Sequence, residues 1–217
     1  MLIHFKIPTL LGLSIIMVGL VVGLSLVFKN QTFLTKAGPN INPSNITISN
    51  IEDSSVTISW QTSTETIGFI IFGTDNATEQ TVTDDRDNDA PKKYKTHHVT
   101  LKNLDPKTTY QFTIGGTKKN YTFNTASLTI KQNNLKPIIG SVLDNGKPLN
   151  SGIVYLTTQD AVVQSTIIKN LGNFIIPINN IRTLDLSQVA KFSPETVFKL
   201  KIIGEDEKST TVIFTLT

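Results

Sequence analysis

The chain has 217 residues, of which 39% are hydrophobic and 17% charged, and it contains no cysteine. That excludes disulfides, thiolate catalysis and Cys-type zinc sites. The formal charge of +3 falls close to zero once Lys6 and Lys29 are set aside, leaving 18 basic against 17 acidic residues, so no cationic face for nucleic acid is expected.

No charged residue lies between Lys6 and Lys29. A run of at least about 18 apolar residues is long enough to cross the hydrocarbon core as a helix, and Ile7 to Phe28 meets that length. The expected reading is a single membrane anchor contacting lipid. The alternative is a cleaved signal peptide, but the nearest small-x-small site, Thr35-Lys36-Ala37, lies well beyond the apolar end. Charge counting alone leaves the orientation open, because Lys6 and the α-amino group precede the run while Lys29 and Lys36 follow it. Gly19 and Gly23 form a G-x-x-x-G that allows a weak anchor-mediated dimer, although glycines are also common in membrane helices for other reasons. Residues 1–29 are therefore assigned to a cytoplasmic stub and anchor, and residues 30–42, without sustained periodicity, to a tether.

From Ile46 the period becomes 2, as half-buried strands require. Val56, Ile58 and Trp60 alternate with Thr57, Ser59 and Gln61. Further short strands are expected at 67–73, 79–83, 97–101, 110–114 and 121–123. Seven such strands separated by turn signals predict an antiparallel two-sheet sandwich over residues 43–126.

Trp60 on the second strand, followed by Leu104-Asp105-Pro106-Lys107-Thr108-Thr109-Tyr110, resembles a fibronectin type III domain. The resemblance implies structural roles for Trp60, Leu104, Pro106 and Tyr110, with the tryptophan in the core and the tyrosine hydroxyl bonded back to the preceding loop. Ile70-Ile71-Phe72-Gly73-Thr74 and His97-His98-Val99-Thr100-Leu101 make the subtype similar to the domain that precedes the catalytic domain of purple acid phosphatases. Such a likeness speaks for fold and hardly at all for activity.

After a linker at 127–136, a second unit is expected over 137–217. Asn145-Gly146 signals a turn, Gly152 to Leu156 and Leu171 to Pro177 read as strands, and Phe198, Leu200, Ile202 and then Val212, Phe214, Leu216 close the set. The order resembles the carboxypeptidase regulatory-like, transthyretin-like sandwich found also in collagen-adhesin B-type repeats. The longer stretch from Asn179 to Glu195 suggests a short helix around Leu184 to Ala190. The fold class is thus all-β, two tandem antiparallel sandwiches behind one N-terminal transmembrane helix, with the linker as the place where proteolysis separates two folded pieces.

Chemistry is sparse. His97 and His98 point to opposite faces of a strand and cannot serve one metal. His97 is expected to be partly buried and structural, and His98 to be solvated beside Thr100 and Lys102. Asp85, Asp87 and Asp89 have the spacing of the first half of a calcium loop, which makes calcium the one cofactor the chain suggests. Ala90 and Thr96 stand where an EF-hand needs glycine and glutamate. The competing reading is a loop neutralised by Lys92, Lys93 and Lys95. Sequons at Asn30, Asn45, Asn76 and Asn120 are expected by chance in a chain this rich in Asn and Thr. No nucleophile elbow, zinc-protease motif or phosphate loop is present, so no catalytic residue is assigned. The expected function is a non-enzymatic module at the cell membrane, single-pass, N-terminus cytoplasmic and sandwiches outside, for adhesion, scaffolding or protein interaction with an unidentified surface protein. The alternatives are a carbohydrate or cell-wall binding accessory, drawing on exposed Thr, Asn and Tyr121 for a polysaccharide, and a non-catalytic subunit of a hydrolase.

Overall fold

A computed structural model describes residues 17–20, 42–75, 79–129 and 133–216. The chain divides into two compact units, Met1–Gly38 and Pro39–Thr217. In the first, Met17 to Leu20 form a helical turn. The rest of the expected anchor, Gly23 of the G-x-x-x-G and the Thr35-Lys36-Ala37 site lie outside the described residues. Among the described residues no helix is long and apolar enough to cross a membrane.

The second unit is all-β. Its first part carries β1 (Ser44–Ser49), β2 (Ser55–Ile67), β3 (Phe69–Gly73), β4 (Gln80–Thr83), β5 (Lys93–Lys102), β6 (Thr109–Ile114) and β7 (Tyr121–Asn124). They pair antiparallel as a three-stranded sheet β1-β2-β5 and a four-stranded sheet β4-β3-β6-β7. Alternation decides the facing: Val56, Ile58, Trp60, Val99 and Leu101 from one sheet meet Ile70, Phe72, Phe112 and Ile114 from the other in one buried cluster. The corner is closed by Tyr110, whose hydroxyl accepts a hydrogen bond from the Asp105 N–H at 2.9 Å while its ring stacks on Phe123. Leu104 is buried beside it. Tyr110→Phe keeps the ring and strands that N–H, so a loss of about 1 kcal/mol is expected in denaturant titration.

The second part carries β8 (Ile138–Ser141), β9 (Leu143–Asp144), β10 (Lys147–Pro148), β11 (Gly152–Thr158), β12 (Gln164–Ile167), β13 (Asn173–Ile176), β14 (Val197–Gly204) and β15 (Ser209–Thr215). A four-stranded sheet β12-β11-β14-β15 faces the two-stranded β13-β8, with the β9-β10 hairpin turning at Asn145-Gly146. Val154, Leu156, Phe198, Leu200 and Ile202 pack on Phe174 and Ile176 in a separate core. No helix forms around Leu184 to Ala190. Asp185 accepts from the Thr183 hydroxyl and from the backbone and hydroxyl of Ser187, Leu186 takes φ 60°, and Arg182 bridges to Val189. A side chain that caps its own turn competes with a helix for the same backbone donors.

The two sandwiches do not hang on a free linker. The outer face of β1-β2-β5 lies against the outer face of β12-β11-β14-β15, where Ile153, Tyr155, Ile203 and Val163 form a small apolar cluster. Ser127 donates to Leu186 and Ser187, and Asn133 to Asn179 and Ile178, so both flanks of the 127–136 segment are tied to the second sandwich.

Candidate functional site

The chemistry-bearing side chains gather along this seam. Thr57, Ser59, Thr96 and His98 point away from the first core, yet all are buried. The strand period that makes them outward-facing is obeyed; the second sandwich supplies the cover. The Tyr155 hydroxyl donates to Ser59 Oγ at 2.9 Å, and Ser49 Oγ lies 2.6 Å from Ser165 Oγ. Asn50 adopts φ 48° and turns its amide onto Ser165, accepting from its N–H at 2.8 Å and donating to its carbonyl at 2.9 Å. An Asn amide offers the same donor and acceptor pair as a peptide group, so Asn50 extends the β12 edge as another strand would.

His98 is not solvated. It is 4% exposed because the second sandwich covers the outer face of β5. Its Nδ1 lies 2.7 Å from Asp85 Oδ2 and its Nε2 2.9 Å from Ser165 Oγ. A carboxylate only accepts, so Nδ1 donates and, in the neutral ring, Nε2 accepts the serine proton. Ser165, His98 and Asp85 therefore have the connectivity of a hydrolytic triad. The environment is that of a structural relay: Ser165 is 6% exposed, its hydroxyl is engaged by Ser49, and its backbone is held by Asn50. No substrate reaches that oxygen unless the sandwiches part.

His97, on the opposite face of β5, is fully buried and stacked on Trp60, with ring centroids 4.8 Å apart. A bulge in β2 between Gln61 and Thr66 brings the Thr62 and Thr66 hydroxyls to 3.3 and 3.0 Å from Nε2. Nδ1 has no hydrogen-bond partner; Asp84 Oδ2 at 3.8 Å is too far. Gly68 makes room for the ring, since a Cβ there would lie 2.2 Å from Nδ1. Burial lowers the His97 pKa from 6.5 to about 4, against the pull of Asp84. The folded state holds His97 neutral while the unfolded chain protonates it, so this contribution is complete above pH 6.5 and is lost as pH falls through about 4. A loss on the order of 3 kcal/mol between pH 7 and pH 4 is expected in denaturation curves, and His97→Gln should flatten it.

The Asp-rich loop forms a buried ionic cluster. Arg86 donates Nε to Asp84 Oδ1 at 2.8 Å, Nη2 to Asp84 Oδ2 at 2.9 Å, Nη1 to Glu205 Oε1 at 2.7 Å, and also to the Thr96 carbonyl. Its guanidinium lies 3.6 Å from the Tyr94 ring centre. Glu205, on the β14–β15 turn, accepts from the Lys95 and Thr96 backbone N–H groups and the Thr96 hydroxyl. Burial opposes ionisation of Glu205, but these bonds and Arg86 outweigh it and hold its carboxyl below the usual range. Opposing burial likewise, the bonds from His98 and Thr100 keep Asp85 ionised below its ordinary value.

This placement reorders the expectations for the loop. Asp85 is committed to His98 and Thr100, and Asp87 accepts from the Lys92 N–H and, at 3.4 Å, the Tyr94 hydroxyl. Asp89 is exposed, and among the described residues no group of three acidic or histidine side chains is gathered for a metal. Millimolar calcium is expected to leave the melting temperature unchanged, a rise abolished by Asp87→Ala being the opposing result. The lysine-neutralised reading also changes, because Arg86 carries the pairing and Lys95 contacts Glu207 of the second sandwich. Tyr121 stacks on Phe112 and has the Lys119 ammonium over its ring, so both groups compete with a sugar for stacking there. Sequence reasoning did not find Ser165, Asn50, Tyr155 or Glu205; the signal available was the run of small polar residues on the outward positions of β2.

The fold and the seam define a pair of β-sandwiches joined within one compact unit, the first fibronectin type III-like. Residues 43–128 match the family model for the purple acid phosphatase N-terminal domain. No curated protein matches the chain. Among solved structures, a redesigned β-sandwich protein is 28% identical over 40% of this chain and 96% of its own, with a TM-score of 0.30. The FN1–FN3 domains of chicken CNTN1 are 14% identical over 81% of this chain and 65% of theirs, with a TM-score of 0.28. The central fibronectin-III array of RIM-binding protein is 14% identical over 84% and 66%, with a TM-score of 0.29.

Proposed function

We propose that the chain is a non-catalytic interaction module, held at a membrane by its N-terminal apolar run and presenting two rigidly joined sandwiches outside the cell. The observation that carries this reading is the seam: the polar groups with catalytic potential are consumed in joining the sandwiches. A protein that spends Asp84, Arg86, Glu205, Asp85, His98 and Ser165 on fixing two modules gains a defined spacing and orientation of surfaces, as adhesion or scaffolding requires. The uncharged stretch between Lys6 and Lys29 supports anchorage. Protease added to intact cells should remove everything after about residue 30 and leave the N-terminus protected, and crosslinking on those cells should capture a surface partner. Protection of both sandwiches, or phosphomonoester hydrolysis by the purified chain, would defeat the reading.

A saccharide-binding accessory is the second reading, favoured by one feature. A groove of about 420 Å³ beside the seam sets the polar groups of Asn45, Thr47, Thr157, Lys199 and Lys201 beside the apolar surface of Ile46, Tyr155, Val163 and Ile203, which offers hydrogen bonds for hydroxyls and an apolar wall for a sugar ring. Saccharide-dependent retention of the chain, lost on Lys199→Ala with Lys201→Ala, would select it. The match of residues 43–128 supports a third role, as a non-catalytic subunit whose partner supplies the active site.

A further inference from the structure

We infer that β15 is a pairing edge, and that its occupant is β15 of a second copy of this chain, joined antiparallel about Val212. The strand ends the sheet β12-β11-β14-β15 and pairs through one edge only, in unbroken register from Ser209 opposite Ile203 to Thr215 opposite Val197. Among the described residues no strand lies on its other edge, whose row of backbone donors and acceptors is a template for another extended chain.

The other sheet edges are guarded. β4, β7, β8, β12 and β13 have four residues each, β1 carries a bulge between Ser44 and Thr47, and the ten-residue β5 has its outer edge taken up by Asp84 on the His98 N–H, Asp85 on the Thr100 N–H and the His98 carbonyl, and Glu205 on the Thr96 N–H. β15 has seven residues, Ser-Thr-Thr-Val-Ile-Phe-Thr, without charge, proline or glycine. Val212 is 48% and Ile213 66% exposed. The facing sheet β13-β8 is only two strands wide, so the core side of β15 is left half covered at Val212 and Phe214.

The same strand suits itself as partner. A two-fold axis at Val212 sets Val212 against its own copy, Phe214 against Thr210, and Ile213 against Thr211, giving β-branched pairs at the centre on both faces. No charge meets a like charge. Lys208, at the strand's start, is already paired with Asp206 at 2.8 Å and Asp144 at 3.6 Å. Lys199 and Lys201 of β14 would stand three strand spacings, about 14 Å, from their counterparts, beyond the screening length of roughly 8 to 10 Å.

The cysteine-free chain makes the test direct. In the full-length protein in detergent, Val212→Cys should crosslink into a dimer with a short bifunctional maleimide. Thr210→Cys, about 13 Å from its own counterpart in this register, should not. Adding Thr211→Lys and Ile213→Lys to Val212→Cys puts like charges directly opposite each other and should remove the dimer band. Both positions also stand opposite lysines of the same chain's β14, Thr211 opposite Lys201 and Ile213 opposite Lys199, so a lower melting temperature is expected with the lysines, whereas Thr211→Glu with Ile213→Glu, which complement those lysines and still repel across the axis, should weaken the dimer band without it. Absence of a Val212→Cys dimer, equal crosslinking at Thr210→Cys, or a dimer that survives the lysines would each overturn the pairing, the last by pointing to association through another surface. Capture of a different protein in place of a second copy would overturn the choice of occupant.

Discussion

Arg86→Ala is expected to lower the stability of the Pro39–Thr217 unit by about 3 to 5 kcal/mol. The guanidinium is 11% exposed and bridges Asp84, whose side chain is fully buried, to Glu205 across the seam. Coulomb attraction at such distances does not by itself make a buried pair profitable, since desolvating both ions costs a comparable amount. Removing one partner is different, because two carboxylates then remain in a site that water enters poorly. Asp84 would keep the His98 N–H and Glu205 the N–H groups of Lys95 and Thr96, which caps the loss short of a fully stranded charge. Lys208→Ala provides the contrast. Its side chain is 71% exposed, and its bridges to Asp206 and Asp144 are screened by solvent, so its removal should leave stability nearly unchanged. Denaturant titration of both variants decides the matter, and equal small effects would show that the seam is wet and loosely held. A second signature is expected for Arg86→Ala: protease nicking at 127–136 should begin to release separate pieces.

The first sandwich was legible because its period-2 pattern runs along isolated strands whose inner residues are large and apolar. Trp60, Leu104 and Tyr110 are buried in the first core, with the Tyr110 hydroxyl bonded to the Asp105 N–H. Less of the second was visible. β12 was not expected, because Gln164-Ser165-Thr166-Ile167 has no apolar alternation; it is held by Asn50 and by pairing with β11. The helix proposed near Leu184 fails for a local reason, the Asp185 turn.

The seam was beyond the reach of strand patterns for a more general reason. Alternation identifies which residues leave a strand on the side away from its own core, and it assigns that side to water. Thr57, Ser59 and His98 obey the alternation and are buried nonetheless, because a second sheet lies over them. Small hydroxyl residues suit both situations, being soluble when exposed and able to satisfy each other when covered. What distinguishes the two cases is a long-range partner: Tyr155 meets Ser59 and Glu205 meets Thr96, at sequence separations that no local motif records.

Trp60→Ala is the second large effect, with an expected loss of about 3 to 5 kcal/mol. The ring is 1% exposed and sits among Ile58, Val99 and the facing sheet, so truncation leaves a cavity that paired strands cannot close. The same substitution removes the surface on which His97 stacks. With the ring gone, water enters beside an imidazole whose Nδ1 is unpartnered, and the burial that keeps His97 neutral is relieved. The two effects are separable by pH. The cavity loss should be constant from pH 7 to pH 5, whereas the acid-dependent loss assigned to His97 should shrink in the variant, so the gap between wild type and Trp60→Ala narrows as pH falls towards about 4. Trp60→Phe, which keeps a ring at the stack, should cost less and retain the pH dependence. A gap that stays parallel across that range would mean that Trp60 does not shield His97, and a loss no larger than that of Tyr110→Phe would remove Trp60 from the centre of the core.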